Sequence, residues 1–386
     1  MALSHRERVL RALSHKETDR VPFDLGSTRN SSIHLAAYEK LKAHFGIKTE
    51  TTLLHKFMQI ALPDEEVLKA LDIDLRFAGP GHPDATPDKP YGEDGYIDEY
   101  GVTRRKPRGS MYYDMVKSPL SGPITINDIK KYKLPDGSDP GYTRGLRERM
   151  LNLRNNTDYA IVLNLPSAFV HLSQFLRGFE DWFIDLAADQ KLAAALFDAA
   201  VEQTSSVCEA VLKAGGDLAD VVATGDDLGT QSGPIISPEL YRKLFKPRHK
   251  KFIATLKKHT KAPVHFHSCG SIYKLLGDLI ECGVDVIHPV QVAARDMDSA
   301  KLKKEFSAKL AFWGGIDTQR ILPQGTPAEV KEEVKRRLHD FAPGGGYVLG
   351  AVHNIQADVP VENILALYEA GKEYGKYPVK PQEACL

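Results

Sequence analysis

Eight short apolar segments, separated by helical patterns, constrain the fold of this 386-residue chain more than any other feature. Most of them are followed by a stretch in which apolar residues recur at helical spacing. Strands that alternate with helices form a parallel sheet, and eight such units close into a (β/α)8 barrel, or TIM barrel. The segments are 20–26, 75–80, 159–166, 219–226, 262–271, 285–291, 310–317 and 346–352.

A doubly wound open sheet is the alternative arrangement for units of this kind. The barrel is favoured because no Gly-x-Gly-x-x-Gly motif follows the first apolar segment. No linker divides the chain, so we expect a single barrel domain over residues 1–386. Residues 81–130 interrupt the alternation with many Gly, Pro, Tyr and Asp residues. Their local alternation predicts one or two hairpins, and an irregular surface insertion is the alternative.

Charge balance and cysteine count limit the classes of partner. The chain has 51 basic and 51 acidic residues. It therefore lacks the surplus of basic residues that is typical of proteins that bind nucleic acid or an anionic membrane surface. Four cysteines are too few for a disulfide scaffold and are typical of a reducing compartment. The N-terminal residues are polar and no run of 18 apolar residues occurs. We therefore expect a cytoplasmic protein with no nucleic-acid or membrane partner. The sequence leaves the oligomeric state open, with a homodimer as one option.

The most specific chemical feature is His267-x-Cys269, which ends the fifth apolar segment just before Gly270. Side chains two positions apart on a strand point to the same face, so this imidazole and this thiol can converge on one point. Imidazole nitrogen and thiolate sulfur are preferred zinc ligands. The alternative interpretation is a core histidine beside a small buried cysteine.

Other polar residues also follow the proposed strands, where the catalytic residues of a barrel lie. His353, after the eighth segment, would complete a three-ligand site with an open fourth position, as in catalytic zinc sites. Of Asp226 and Asp227, one is expected to be a general base or metal ligand, and the other to cap the loop. His288 is a candidate ligand, second-layer partner or core residue, and a non-ligand catalytic role is favoured. The candidate substrate-binding residues are Arg29, Asn164, Gln291, Asp317 and Asn354.

Several pieces of the sequence, taken in order, resemble the uroporphyrinogen decarboxylase superfamily. The chain is more closely similar to the zinc- and cobalamin-linked methyltransferase branch of that superfamily, over about residues 5–375. The resemblance implies a (β/α)8 barrel, which agrees with the strand count. The pieces are Arg8–Leu13, Asp19–Pro22, Val264–Gly270, Gly283–Gln291, Gly350–Gln356 and Val359–Asn363.

The methyltransferase branch binds zinc with a His-x-Cys pair and a later cysteine. His267 and Cys269 match the pair, while His353 stands at the later position, where the decarboxylases carry histidine. The decarboxylases also hold their substrate carboxylates with an arginine-rich N-terminal loop. The corresponding loop here, 26–30, has one arginine, Arg29. The resemblance therefore favours the methyltransferase over the decarboxylase.

The resulting hypothesis is a zinc-dependent methyltransferase acting between a small methoxy or thiol substrate and a corrinoid of the methylcobalamin type. The sequence contains no Asp-x-His-x-x-Gly motif, so the corrinoid is expected on a partner protein. One thiolate with two neutral imidazoles leaves zinc a net positive charge, which favours demethylation of a methoxy compound. Asp226 or Asp227 would then protonate or orient the departing oxygen.

Two other classes of function remain open from the sequence. One is a metal-independent lyase related to uroporphyrinogen decarboxylase, with His267 and Asp226 in acid–base roles. The other is a non-catalytic barrel that binds a corrinoid or tetrapyrrole for delivery. Metal content distinguishes the lyase from the methyltransferase, and the effect of Cys269→Ala on ligand binding distinguishes the carrier.

Overall fold

The structure, a computed structural model, describes residues 3–380. Its strands fall into one parallel sheet and two antiparallel sheets. The strands are β1 (Ile33–His34), β2 (Thr52–His55), β3 (Ile60–Leu62), β4 (Leu75–Ala78), β5 (Lys89–Tyr91), β6 (Gly95–Ile97), β7 (Thr103–Arg105), β8 (Asp114–Lys117), β9 (Ala160–Asn164), β10 (Val221–Gly225), β11 (Val264–His267), β12 (Val286–His288), β13 (Ala311–Trp313) and β14 (Tyr347–Val348).

Helices connect the parallel strands and cover their outer face. A π-helical turn at Tyr241–Phe245 joins two of them. The helices are α1 (His5–Leu13), α2 (Leu35–Phe45), α3 (Glu65–Leu71), α4 (Ile126–Lys131), α5 (Leu146–Asn156), α6 (Val170–Arg177), α7 (Phe179–Ala188), α8 (Gln190–Gly215), α9 (Pro238–Leu240), α10 (Lys246–His259), α11 (Leu276–Cys282), α12 (Ser299–Phe306), α13 (Ile321–Gln324), α14 (Pro327–Phe341) and α15 (Val361–Tyr374).

Seven parallel strands follow one another around the sheet in the order β14-β13-β12-β11-β10-β9-β4. The first apolar segment closes the gap between the two ends. Phe23 forms a parallel bridge with Leu349, and the Asp24 amide donates to the Leu349 carbonyl at 2.9 Å. On its other side, the Asp74 amide donates to the Phe23 carbonyl at 3.0 Å. The predicted (β/α)8 barrel of eight strand segments is therefore confirmed.

Both faces of the barrel strands are buried, which explains why they are almost continuously apolar in sequence. Alternate side chains point into the barrel and form one core cluster, while the others pack against the surrounding helices. Val9 of α1 joins the inner cluster from the N-terminal end of the barrel. The inward-facing residues are Leu75, Ala160, Val162, Val221, Ala223, Val286, Ala311, Trp313 and Val348.

The region that interrupts the alternation contains a four-stranded antiparallel sheet in the order β5-β6-β7-β8. Arg104 of this sheet stacks on Phe57, 4.5 Å from the ring centroid, and on Phe175 of α6, 4.6 Å from the centroid. Phe57 belongs to the loop of a hairpin, β2–β3, that the sequence analysis did not predict. The sheet and the hairpin therefore pack together against α6.

The N-terminus of α14 has the capping geometry that its sequence predicts. Thr326 accepts from the backbone of Glu329, the Glu329 carboxylate accepts from the Thr326 amide, and Pro327 occupies the first helical position.

Within residues 3–380, no helix combines the length and the apolar content needed to cross a bilayer.

Candidate metal centre

The structure brings His267, Cys269 and His353 together at the C-terminal end of the barrel. One ligand atom from each residue lies within 4.8 Å of the others. The Cys269 sulfur is 3.3 Å from His267 Nε2, and the rings of His267 and His353 meet edge to face with centroids 5.3 Å apart. His267 ends β11, whereas His353 follows β14, so barrel closure brings their distant positions in sequence together.

The donor atoms of this triad suit a zinc ion. Sulfur and nitrogen ligands of tetrahedral zinc are separated by ~3.6 Å, close to the 3.3 Å observed between Cys269 and His267. Burial lowers the pKa of His267 to about 3, and it also lowers the pKa of His353, so both rings are neutral ligands at pH 7. Burial, together with the nearby Asp227 carboxylate, raises the pKa of the Cys269 thiol well above its usual range. A bound cation would be needed to stabilise the thiolate.

The loop after Cys269 depends on a glycine. Gly270 has φ of +84°, and a Cβ atom there would lie 2.5 Å from the Gly229 carbonyl carbon. Only glycine fits this combination of left-handed backbone and close approach. The side-chain carbonyl of Gln291 accepts the Gly270 amide at 2.7 Å, so a predicted substrate-binding residue holds this loop.

His288 lies deeper in the barrel, directly behind His267. The two residues are paired in the parallel register of β11 and β12, and their Nδ1 atoms are 2.8 Å apart. His288 is fully buried, and no hydrogen-bond partner is found for its Nε2 among the described residues. His265 stacks on His288 with ring centroids 5.0 Å apart. His267 lies between His288 and Cys269, so His288 is placed behind the triad, as a hydrogen-bond partner of His267.

The two consecutive aspartates after β10 face different parts of the site. Asp227 accepts the Cys269 amide at 2.8 Å, and the same oxygen, Oδ1, is 3.6 Å from His267 Nε2. Asp226 is fully buried and accepts the Phe169 amide at 3.0 Å, just before α6. Asp227 therefore faces the triad, whereas Asp226 caps the start of α6.

Sequence analysis did not identify two histidines that contact Asp226 and Asp227. His171, in the first turn of α6, places Nε2 at 3.4 Å from Asp227 and Nδ1 at 3.4 Å from Asp226. His249 of α10 is fully buried, with Nε2 at 3.1 Å from Asp226. For His171 the available signal was position, because the start of a helix that follows a barrel strand lies at the catalytic end of the barrel.

Other predicted substrate-binding residues make hydrogen bonds that hold the rim loops. Asn164 accepts the Arg29 amide at 3.2 Å and donates to the Ser27 carbonyl at 2.9 Å. Asn354 accepts the Ser32 amide at 2.7 Å. Direct contact of these amides with a substrate stays a prediction.

Asp317 and Arg29 contribute differently to the rim. Asp317 is buried and accepts the Gln319 amide at 2.8 Å, which fixes its own loop. Arg29 is partly buried, and its amide is held by Asn164. Burial lowers the pKa of Arg29, and Glu99 is among the nearby charges. A substrate-binding role for either residue stays a prediction.

Comparison with known proteins agrees with this architecture. Over 96% of its length the chain resembles a methyltransferase from Methanosarcina mazei, with 18% identity, a TM-score of 0.67 and 99% of that structure covered. It is 36% identical over 77 residues to uroporphyrinogen decarboxylase from Actinobacillus succinogenes, which is 20% of this chain and 21% of that protein. The corresponding protein from Mannheimia succiniciproducens is 32% identical over 77 residues, with 20% of this chain and 21% of that protein covered.

These alignments span about a fifth of the length of the curated relatives. The family model described as uroporphyrinogen decarboxylase (URO-D) matches residues 114–374, which is more than half of the chain. The resemblance predicted from the sequence motifs is thereby confirmed. The chain belongs to the uroporphyrinogen decarboxylase family.

Proposed function

We propose that this protein is a zinc-dependent methyltransferase that moves a methyl group between a small substrate and a corrinoid carried by a partner protein. The observation that carries the proposal is the approach of His267, Cys269 and His353 to within 4.8 Å of one another at the catalytic end of the barrel. Three protein ligands with an open fourth position are typical of catalytic zinc sites. The fold shared with a methyltransferase from Methanosarcina mazei supports the same class of reaction.

When bound, zinc would supply a Lewis acid for the substrate heteroatom. The three ligands would hold it with one negative charge against the two of the ion, so the site would keep a net positive charge. This charge favours a substrate oxygen as the group from which methyl leaves. An O-demethylase component is therefore the preferred form of the proposal, with the corrinoid as methyl acceptor.

Other residues near the triad would bind the substrate, hold the ligands in place and exclude water. The Asp227 carboxylate is 40% exposed and faces the triad, so it can orient the reacting substrate atom. His288 holds the His267 ring from behind. The antiparallel sheet and the β2–β3 hairpin pack against α6 beside the site, where they can limit access of water.

Metal analysis is the first test of this proposal. We expect about one zinc per chain in the parent protein and its loss in Cys269→Ala, as a single three-ligand site requires. Cys282→Ala is the matched control, because the Cys282 sulfur donates to the Lys246 carbonyl on α10 and belongs to no metal cluster among the described residues. A parent that binds no zinc, even when zinc is supplied, contradicts the proposal.

Methyl transfer itself is then measured with free cobalamin in place of the unidentified partner protein. Cob(I)alamin is offered with methyl ethers, and methylcobalamin with thiols. Transfer that requires both zinc and Cys269 supports the methyltransferase. Corrinoid binding that survives Cys269→Ala, without transfer in the parent, supports the carrier instead.

A carboxy-lyase is the second candidate, and membership of the uroporphyrinogen decarboxylase family favours it. Its chemistry would use Asp226 and His267 without metal. Asp226 is fully buried and already accepts hydrogen bonds from Phe169 and contacts His249, which leaves it poorly placed for a substrate. Carbon dioxide release from uroporphyrinogen by zinc-free protein would favour the lyase over the methyltransferase.

A further inference from the structure

His171 is a histidine held between two carboxylates at the edge of the candidate metal centre. Its Nδ1 is 3.4 Å from Asp226 Oδ1, and its Nε2 is 3.4 Å from Asp227 Oδ2. The side chain is 26% exposed, so part of the ring is accessible to solvent. Asp227 lies between this ring and His267, since its other oxygen is 3.6 Å from His267 Nε2. His171 is therefore separated from the triad by a single carboxylate.

The position of the ring is fixed from behind. Asp226 is fully buried, where the Phe169 amide donates to it at 3.0 Å and His249 Nε2 lies 3.1 Å away. His249 is itself held by the Tyr241 hydroxyl at 3.2 Å from Nδ1. This buried network prevents the Asp226 carboxylate from turning, so Asp226 and His249 are positioning residues for His171.

The surroundings of His171 favour its charged form. Burial alone would lower its pKa, but hydrogen bonds to Asp226 and Asp227 and the charges of both carboxylates raise it to about 10. The ring therefore carries a proton at neutral pH and cannot accept another. At this place in the site it can act as an acid and not as a base.

We propose that His171 is the proton donor to the oxygen atom that is released when methyl is removed from a methyl ether. The proposal rests on the methyltransferase function in its demethylating direction. The methyl carbon leaves the ether oxygen for a nucleophilic cobalt(I) corrinoid, whose electron pair forms the new bond. The electron pair of the broken C–O bond stays on oxygen and takes the proton from His171 Nε2. The neutral ring then regains a proton from solvent along its exposed edge.

The wall beside His171 indicates the class of ether. Phe175 lies one helical turn along α6, with its ring centroid 6.1 Å from that of His171. Phe57 meets Phe175 edge to face at 6.2 Å. Arg104 stacks on both rings, so a substrate would pack beside a cation–aromatic cluster. Such a cluster suits a flat aromatic ring, so aryl methyl ethers are the expected class.

The test compares aryl methyl ethers whose ring substituents change the acidity of the released phenol. Parent protein, His171→Gln and His44→Gln are assayed with cob(I)alamin as methyl acceptor. His44 is an exposed residue of α2 and serves as the control. A general acid contributes a factor of ~10²–10⁴, and its contribution is largest for the poorest leaving group. We expect His171→Gln to lose ~100-fold or more in kcat for the least acidic phenol but only a few-fold for a nitrophenol.

The other outcomes are equally informative. An equal loss across the series, with zinc retained, overturns the proton-donor role and assigns His171 a structural one. No loss overturns it as well. A zinc-loaded parent that demethylates no member of the series but transfers methyl to thiols or from other methyl ethers overturns the inference and leaves the proposed function standing. No methyl transfer with any of these substrates contradicts the proposed function itself. The ¹⁵N chemical shifts of the His171 ring at pH 8, identified by their absence in His171→Gln, give a readout without turnover. A neutral ring in the zinc-loaded protein overturns the inference.

Discussion

The Nδ1 atoms of His267 and His288 lie 2.8 Å apart inside the barrel, so one must carry a hydrogen and the other must accept it. His267 presents its other nitrogen, Nε2, to Cys269. A neutral His267 that binds metal through Nε2 carries its hydrogen on Nδ1 and donates it to His288. His288 is then fixed in the tautomer with hydrogen on Nε2. One hydrogen bond thus sets the protonation of both rings.

This relationship predicts that His288 controls zinc affinity without touching the metal. His288→Leu removes the acceptor, and we expect zinc affinity to fall ~10–100-fold, the usual effect of losing an outer hydrogen-bond partner. His288→Asn can retain an acceptor near the same position and should lose less. Competition with a chromogenic chelator measures both constants. Equal affinities in the parent and His288→Leu would contradict the prediction.

Zinc binding should release about one proton per chain near pH 7. Burial keeps the pKa of His267 at about 3 and lowers that of His353, so neither ring has a proton to lose. The Cys269 thiol is protonated in the metal-free protein because burial and Asp227 raise its pKa. Zinc affinity should therefore rise about tenfold per pH unit up to the pKa of this thiol.

Calorimetry in buffers of different ionisation enthalpy measures the number of protons released. Cys269→Ser is the informative variant, since a serine hydroxyl is a much weaker metal ligand than a thiolate. Release of two or more protons would mean that a histidine is charged before zinc binds, contrary to the buried neutral rings.

The barrel could be predicted because each of its strands is apolar on both faces, a local property of the sequence. The pair His267 and Cys269 could be found because the two residues lie two positions apart in the sequence, where His267 ends β11 and Cys269 belongs to the loop that follows. The four-stranded sheet was only partly anticipated as one or two hairpins. Its strands have only three or four residues, and the outer two, β5 and β8, are largely exposed, so burial left little pattern in their sequence.

His171 and His249 could not be found by pattern because each sits on an amphipathic helix far from Asp226 in sequence. Their shared function depends on the way α6 and α10 pack against the end of β10. Likewise, the different environments of Asp226 and Asp227 depend on the loop after β10, where Asp226 accepts the Phe169 amide and Asp227 accepts the Cys269 amide. Sequence analysis placed both aspartates at the rim but could not say which one faces His267, Cys269 and His353.

Acid stability should depend on Asp74, which is buried at the N-terminal end of the barrel. Its carboxylate binds Arg8 at 2.6 Å, Arg20 at 2.7 Å and the Phe23 amide at 2.7 Å. Burial would raise its pKa, but the hydrogen bond from His5 and the charges of Arg20 and Arg8 lower it overall. Because the folded-state pKa is lowered, the stabilisation is present above the ordinary aspartate value and is lost as pH falls below it.

Asp74→Ala should lower the free energy of unfolding by ~3–5 kcal/mol at pH 7, because it removes the fully buried partner that Arg8 and Arg20 share and leaves them only the more exposed Asp19 and Asp72. The matched control is Asp72→Ala, whose side chain is 39% exposed and pairs with Arg20 alone, so its effect should be below ~1 kcal/mol. Urea unfolding measures both changes. Similar stability of the two variants would contradict this role of the network. The difference in the free energy of unfolding between Asp74→Ala and the parent should shrink as the pH falls towards 3.

His353→Cys should change the charge of the site while keeping the metal. The His353 ring is part of the triad and lies edge to face with His267, so a thiolate at this position can still reach the centre. Two thiolates and one imidazole neutralise the ion, which weakens it as a Lewis acid towards an ether oxygen. We expect one zinc per chain, at least tenfold slower demethylation of aryl ethers, and a smaller effect on methyl transfer to thiols. Cobalt(II) substitution reports the ligand set directly, because thiolate-to-metal absorption should increase in the variant. Unchanged absorption would show that residue 353 is not a ligand.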